Sequence, residues 1–468
     1  MARQRSFGAR LHLVLLSCFL ALLAAPGQGW ASEYELTEIG VLPDCTSSYA
    51  TSLNDAGQVA GYCVDPSRPG GATNRAFLFH NGSMSEPQLP SGQMGSVANA
   101  INNDGVLVGA FFDASNPSRA CMLAPSFSSY PMGGYTDWAT GITEKGVIVG
   151  TTLIEGANPA LSFARVSRTY KSGGFALLNL PTEWNNSEAR AVNASGWIAM
   201  RVYLIGWGGE ETTGPQYFEH RAGRAYLLAN GDLNDLGAQE DLIDLGTLGG
   251  DDSSAQGIND LGEVCGWSMR EDGSYEAFIY KNSTLSGLGS PIDATDSFAF
   301  GINEKSDVVG FAKSASGNER AVLFSKGEIT DLNTLITLAS SGEKGFTELN
   351  RAVAINESGQ IVGTGTWSDG EGNTFTRGFL LSPIDESAVA APSIIPEDGR
   401  SNKATLVTLS CPTDDATIRY TTNGKEPNKN SKKYRGPFRL GKAKTVKAKA
   451  FLAGKTPSPT TTTVLSPR

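Results

Sequence analysis

The 468-residue chain is 40% hydrophobic and 18% charged, with 48 acidic against 38 basic side chains and a net charge of −10. Hydrophobic content at this level excludes an intrinsically disordered chain, and the length suits about three domains at roughly 150 residues each. Glycine fills 55 positions, about 12% against a usual 7% or so, which predicts many tight turns between short strands and an all-β protein.

Residues 1–31 read as a secretory signal: Arg3, Arg5 and Arg10, then the apolar run Leu13–Ala25, then small residues at the cleavage positions of Gly29-Trp30-Ala31. The run is shorter than the roughly 20 residues of a membrane-spanning helix. Leu15-Leu16-Ser17-Cys18 has the outline of a lipoprotein box, but the apolar run continues past Cys18. The mature chain is therefore expected to be secreted, periplasmic or at the cell surface, with no integral membrane segment.

Residues 32–387 form a repeat. Its unit is Ala-x-x-Ile-Asn, a turn with Gly, a β-branched run and Gly, as in Thr51–Gly61. The Asn position recurs as Asn54, Asn102, Thr143, Asn193, Asn259, Asn303 and Asn356, about 50 residues apart, which is the spacing of propellers and solenoids. Helical periodicity is absent. Each unit opens with a hairpin whose turn suits Asn, which caps it, and Gly, which takes positive φ. A third strand follows, as in Arg75–Phe79, Glu276–Tyr280 and Arg320–Phe324, and then a fourth, as in Ile329–Leu332. Four antiparallel strands per unit predict the blades of a seven-bladed β-propeller. Tyr34–Gly40 has no unit before it, and the seventh unit ends on a third strand at Arg377–Leu381. The N-terminal strand is expected to complete that last blade and close the ring.

Ile243–Gly250 running into Ala255–Gly262, with Ala277-Phe278 afterwards, resembles the HAF family of extracellular repeats. The resemblance implies export and carries no established activity. It weakens where Thr143 replaces Asn, where Ser306 replaces the turn Gly, and in the third and fourth units, which lack a clean Ala-Phe strand.

Residues 388–394 are an Ala/Pro linker, and charge changes sign across it. Residues 32–391 hold 20 basic against 43 acidic side chains, and 392–468 hold 15 against 5. Within 395–468, strands at Thr405–Cys411, Ala416–Thr422 and Thr445–Phe451, with a turn at Asn423-Gly424, predict a small immunoglobulin-like β-sandwich. Ile418–Pro427 with Ser431, Tyr434 and Gly436-Pro437 resembles the accessory C-terminal sandwich of chitobiase and β-hexosaminidase, described as similar to that of family 29 glycoside hydrolases. That resemblance implies an appended, non-catalytic module in a polysaccharide-rich setting.

Tyr62, Trp267 and Phe311 follow Gly61, Gly266 and Gly310 in equivalent places and are the candidate ligand-binding residues. Packing between neighbouring blades is the other reading of the same three rings. Asp55, Asp104, Asp260, Glu304 and Glu357 beside the turns read as solvated turn residues. No catalytic residue is assigned, because a glycosidase carboxylate pair is defined by spatial separation. Calcium loops of Asp-x-Asp-x-Asp-Gly type and zinc-ligand spacing are missing from the sequence, so no metal or other cofactor is expected. Cys45 and Cys63 flank the first hairpin and are the expected disulfide, with Cys121 and Cys265 as buried thiols and Cys411 as the odd cysteine, in the sandwich core. The expected function is an exported non-catalytic binding or scaffold protein for an extracellular polysaccharide or surface protein, not for nucleic acid, which the acidic part repels. The alternatives are a glycan-active enzyme with its site at the channel mouth and a purely structural surface protein.

Overall fold

The computed structural model describes residues 34–68, 73–113, 118–129, 136–153, 160–166, 175–177, 186–203, 223–229, 242–384, 388–389, 391–397, 405–413, 415–440 and 444–465. The expected signal lies outside them.

The repeated Asn shapes its own hairpin. In the first unit Asn54 Oδ1 accepts the Gln58 N–H at 2.9 Å, while the Asn54 and Gln58 backbones bond at 3.1 Å. Gly57 completes the turn at φ 73°, where a side chain is strained. The same side-chain contact recurs at Asn102, Asn193, Asn259, Asn303 and Asn356, and Thr143 reproduces it through its hydroxyl.

Among the described residues, seven four-stranded antiparallel sheets, I to VII, grow from these hairpins, and their first strands begin at Ser47, Gln93, Thr136, Asn186, Gly249, Asp296 and Lys344. Sheets I to VI each take four strands consecutive in the chain. Sheet VII takes Lys344–Ile355, Ile361–Asp369 and Thr374–Pro383, and its outer strand is Tyr34–Glu38 from the other end of the repeat domain, in register from Tyr34 opposite Pro383 to Glu38 opposite Phe379. The expected exchange of the N-terminal strand into the last sheet is present. The fold is all-β and propeller-like.

A hydrophobic cluster joins every consecutive pair of sheets. Ala60 and Ala76 of I meet Ala98 of II; Val108 of II meets Ile148 of III; Val149 of III meets Ile198 of IV; Ala225 of IV meets Phe278 of V. Cys265 of V then meets Ala299 of VI, and Val309 of VI meets Phe379 of VII. Val362 and Leu380 of VII pack with Leu53 and Val59 of I, which brings the order back to its start.

Close approach at these junctions explains the small residues of the repeat. Each first strand carries a bulge after an Ala: Ala50, Ala98, Ala139, Ala189, Ala255, Ala299 and Ala352. Opposite six of them stand Gly61, Gly109, Gly150, Gly266, Gly310 and Gly363. At Gly61, Gly109, Gly266, Gly310 and Gly363 an added Cβ would lie 1.8–2.2 Å from a carbonyl oxygen of the bulged strand. The fourth sheet places the buried Met200 there. Two residues before the Ala, the buried Ser48, Ser96, Ser253 and Ser297 accept backbone N–H bonds of 2.9–3.1 Å from Gly378, Ala76, Ala225 and Ala277 of the preceding sheet. The Ala-Phe pair of the third strand therefore has two tasks: Ala offers its N–H across the junction, and Phe77 and Phe278 fill the interior, as Phe379 does after Gly378 in sheet VII.

Cys45 and Cys63 form the expected disulfide, with Cα atoms 6.0 Å apart. Cys121 and Cys265 are buried thiols, and burial pushes the Cys265 pKa up to about 12. In the C-terminal part, a three-stranded sheet (Ser393–Glu397, Thr405–Ser410, Phe438–Leu440) and a four-stranded sheet (Lys432–Lys433, Thr417–Thr421, Lys444–Phe451, Thr461–Leu465) share one core of Val407, Leu409, Ile418, Tyr420, Val446 and Ala448. Cys411 packs half-buried against it.

Candidate functional site

On the second strand of a sheet, the Gly faces the bulged carbonyl, so the next side chain points to the opposite face. Tyr62, Trp267 and Phe311 all occupy this position, opposite Tyr49, Ser254 and Phe298. Tyr62 stacks on Tyr49 at 5.0 Å, and burial, with Tyr49 second, pushes its pKa up to about 12. Trp267 meets Tyr275 at 5.4 Å and Phe298 of the next sheet at 6.0 Å, both edge-on. Phe298 in turn stacks on Phe311 at 4.8 Å, and Phe300 stacks on Phe311 at 5.8 Å. Trp267 and Phe311 thus belong to one cluster spanning sheets V and VI, and Tyr62 belongs to a separate pair in sheet I. Trp267 is half-buried, whereas Phe311 is only 5% exposed.

Sequence reading missed the arginines of this cluster. The Arg201 guanidinium lies over Trp267 at 5.3 Å and Tyr203 at 5.5 Å, and Arg201 bonds Asp252 at 2.8 Å. Arg351 lies 4.6 Å over Phe311 and is paired with Glu319. In sheet VII, Arg377 lies 5.0 Å over Trp367 and 5.1 Å over Phe375. A belt of rings and cations thus runs from Tyr203 through Arg201, Trp267, Phe298 and Phe311 to Arg351. Planar rings present an apolar face to sugar C–H groups or to peptide side chains, and guanidinium groups add directional donors. The repeat does carry a signal for the arginines: Arg201 follows Met200 in the slot of Tyr62, Trp267 and Phe311, and Arg351 precedes Ala352 in the slot of Tyr49 and Phe298.

Two surface clefts are lined by residues outside the belt. One of about 340 Å³ is lined by Leu36, Glu38, Lys344, Phe346 and Trp367, and one of about 580 Å³ by Arg270, Glu271, Asp272 and Glu276.

The turn carboxylates are not simply solvated. The Asp55 N–H donates to Asn103 Oδ1 at 2.9 Å and the Asn103 N–H to Glu144 at 2.9 Å. The Ala194 N–H donates to Asp260 at 2.7 Å, Asp260 to Glu304 at 2.6 Å, Glu304 to Glu357 at 2.8 Å, and Glu357 to Asp55 at 3.1 Å. These acids join one sheet to the next, and Asn103 rather than Asp104 serves in sheet II. Burial, together with Asp260 and Glu357, raises the Glu304 pKa. Among the described residues, no three His, Cys, Asp or Glu side chains converge to hold a metal ion.

No curated protein matches the chain. Solved structures superpose on it weakly. The β-propeller domain of the Trilobed protease from Pyrococcus furiosus is 12% identical, with 64% of this chain and 84% of that one covered and a TM-score of 0.38. XC5397, a gluconolactonase from Xanthomonas campestris, is 10% identical over 76% of this chain and 91% of its own, with a TM-score of 0.35. Pyrococcus horikoshii acylaminoacyl peptidase is 11% identical over 78% and 57%, with a TM-score of 0.36. Likeness of this degree carries no inference about activity. Residues 396–463 match the family model of the chitobiase/beta-hexosaminidase C-terminal domain.

Proposed function

We propose that the protein is an exported, non-catalytic binding protein. In this reading residues 32–387 are a seven-bladed β-propeller of HAF-type extracellular repeats that presents a rigid platform for a carbohydrate or protein ligand. Residues 395–468 are an accessory immunoglobulin-like sandwich. The observation that carries the reading is the belt from Tyr203 to Arg351, in which the half-buried rings of Trp267 and Phe298 and the buried rings of Tyr203 and Phe311 lie with the guanidinium groups of Arg201 and Arg351 across neighbouring sheets. Rings held by such neighbours lose little freedom when a ligand stacks on them, which favours binding. Seven junctions in cyclic order support the propeller. The Cys45–Cys63 disulfide supports export to an oxidising compartment.

The test is a broad glycan array run on residues 32–468, with a reducing-end release assay on the same polysaccharides. Binding without release is expected, and Trp267→Ala is expected to weaken it about tenfold or more while the circular dichroism melt stays cooperative. Release of reducing ends overturns the non-catalytic reading and favours the glycan-active enzyme. Binding untouched by Trp267→Ala removes the belt as the site, and binding also untouched by Tyr62→Ala removes the Tyr49–Tyr62 pair. Silence on every glycan moves the ligand to a protein.

A further inference from the structure

The C-terminal four-stranded sheet has one face in the sandwich core and one outside. Ile418 and Tyr420 on its second strand, and Val446, Ala448 and Ala450 on its third, are buried in that core. Side chains alternate along a strand, so Arg419, Lys447 and Lys449 stand on the outer face. Register places Lys433 opposite Arg419 and Arg419 opposite Lys449. Three cations therefore stand in one row across three strands spaced about 4.8 Å apart. Lys447, opposite Thr421 and Thr462, extends the row along its strand.

This arrangement works against folding, because like charges directly opposite each other in a sheet are destabilising. Edge protection, the usual reason for lysine in a sheet, does not account for it: Arg419 and Lys449 lie on the two central strands. Neutralisation among the described residues of the domain is only partial: the Glu426 carboxylate acts on Lys447 and, more weakly, on Lys449. Among the described residues of this domain the single ion pair is Lys447 with Glu426 at 3.3 Å, and neither Lys433 nor Lys449 has a carboxylate within ion-pair distance. Arg419 is held in place by donating to the Ser431 carbonyl at 2.9 Å. The row is thus fixed, open to solvent at Lys433, and part of a segment with 15 basic against 5 acidic residues.

We propose that this outer face binds an anionic polysaccharide, one that carries carboxylate or sulfate groups along its length, with Lys433, Arg419, Lys449 and Lys447 as its cationic contacts and Thr421 and Thr462 as hydroxyl partners. Charge complementarity within about a Debye length, 8–10 Å in physiological salt, lets this face act locally despite the acidic repeat domain. The choice of a polysaccharide over another polyanion rests on the export proposed above; the surface itself is independent of what the aromatic belt binds.

The experiment measures binding of residues 32–468 to immobilised polygalacturonate, with neutral dextran and single-stranded DNA in parallel, over a series of salt concentrations. Retention on polygalacturonate and none on dextran is expected. The triple variant Arg419→Gln/Lys433→Gln/Lys449→Gln is expected to weaken binding about tenfold or more and flatten its salt dependence. The variant Lys425→Gln/Lys429→Gln/Arg435→Gln removes the same charge elsewhere on the domain and is expected to stay within about twofold of the parent. If the first triple variant does not fold, the exposed Lys433→Gln alone carries the comparison and is expected to weaken binding measurably. Equal weakening by both triple variants, unchanged binding by the first, no binding by the parent chain, or equal affinity for DNA each overturns the proposal. Trp267→Ala, which tests the belt, is expected to leave polygalacturonate binding unchanged, so the two sites fail or stand separately.

Discussion

Asn356 donates its side-chain amide to the backbone carbonyl of Asn54 at 3.1 Å, across a separation of 302 residues. It is the closing link of a circuit in which each Asn Nδ2 reaches the carbonyl of the equivalent residue one sheet on: Asn54 to Asn102 at 2.9 Å, Asn102 to Thr143 at 3.1 Å, Asn193 to Asn259 at 3.0 Å, Asn259 to Asn303 at 3.0 Å, and Asn303 to Asn356 at 3.4 Å. Asn suits the position because one planar amide supplies both an acceptor for its own turn and a donor for its neighbour.

The circuit has one gap. Thr143 keeps the turn contact but makes no side-chain bond to the Asn193 carbonyl, and Ala194 brings no acceptor for the Glu144 N–H, so both circuits lapse at the junction of sheets III and IV. Thr143→Asn is expected to add the missing donor and stabilise the protein by about 0.5–1.5 kcal/mol, read from urea denaturation. Asn303→Thr is the converse: it keeps the acceptor, leaves the Asn356 carbonyl short of a partner, and is expected to cost about 1–3 kcal/mol. Hydrogen exchange is expected to be fastest at the III–IV junction, and a junction VII–I that exchanged first would contradict this account.

Gly310 is fixed by proximity to the strand beside it. Its Cβ would lie 1.8 Å from the Phe298 carbonyl oxygen, with the Ala299 backbone behind. Gly310→Ala is expected to cost roughly 3 kcal/mol or more, with loss of soluble yield or a sharp fall in melting temperature. Gly317, at φ 89° with open space around its Cα, is the comparison: Gly317→Ala meets only backbone strain and is expected to cost about 1 kcal/mol.

The repeat and its strands were legible because their causes are local. Asn with Gly makes a turn wherever it occurs, and alternation reports which strand face is buried. The strand exchange was legible too, since Tyr34–Gly40 and Arg377–Leu381 each lacked a partner. The roles of Ser96 and Glu304 were not, because each bonds the backbone of a neighbouring sheet and nothing nearby in the chain marks that contact. Aromatic position was readable at Trp267 and Phe311. Their joining through Phe298, and the arginines over them, depend on which sheets become neighbours.

The disulfide closes a loop of 18 residues around the first hairpin. By loop entropy, Cys45→Ser/Cys63→Ser is expected to lose about 3 kcal/mol. Cys63 is fully buried in the cluster that joins sheets VII and I, and Cys45 packs on that cluster. The loss is therefore expected to show as faster exchange in Ser47–Val64 and Phe379–Leu381. An unchanged urea midpoint for the reduced protein would show that the bond adds nothing to a junction already sealed by the N-terminal strand.

Glu304 accepts the Asp260 N–H, with Asp260 and Glu357 as its acidic neighbours, and its pKa is raised by burial and by those charges. A carboxyl whose folded pKa lies above its unfolded value binds its proton more tightly when folded. Its contribution to stability is therefore fully present below the unfolded pKa and is lost as pH rises through the folded one. Glu304→Gln keeps an oxygen for the Asp260 N–H and removes the charge. At pH 7 it is expected to match or exceed the parent by about 0.2–1 kcal/mol, an advantage that shrinks in high salt. Below the unfolded pKa the two proteins are expected to converge. Urea midpoints at pH 4 and pH 7 check the sign: a Gln variant less stable at pH 7 than the parent would mean that the charge itself, bonded to the Asp260 amide, outweighs repulsion from Asp260 and Glu357.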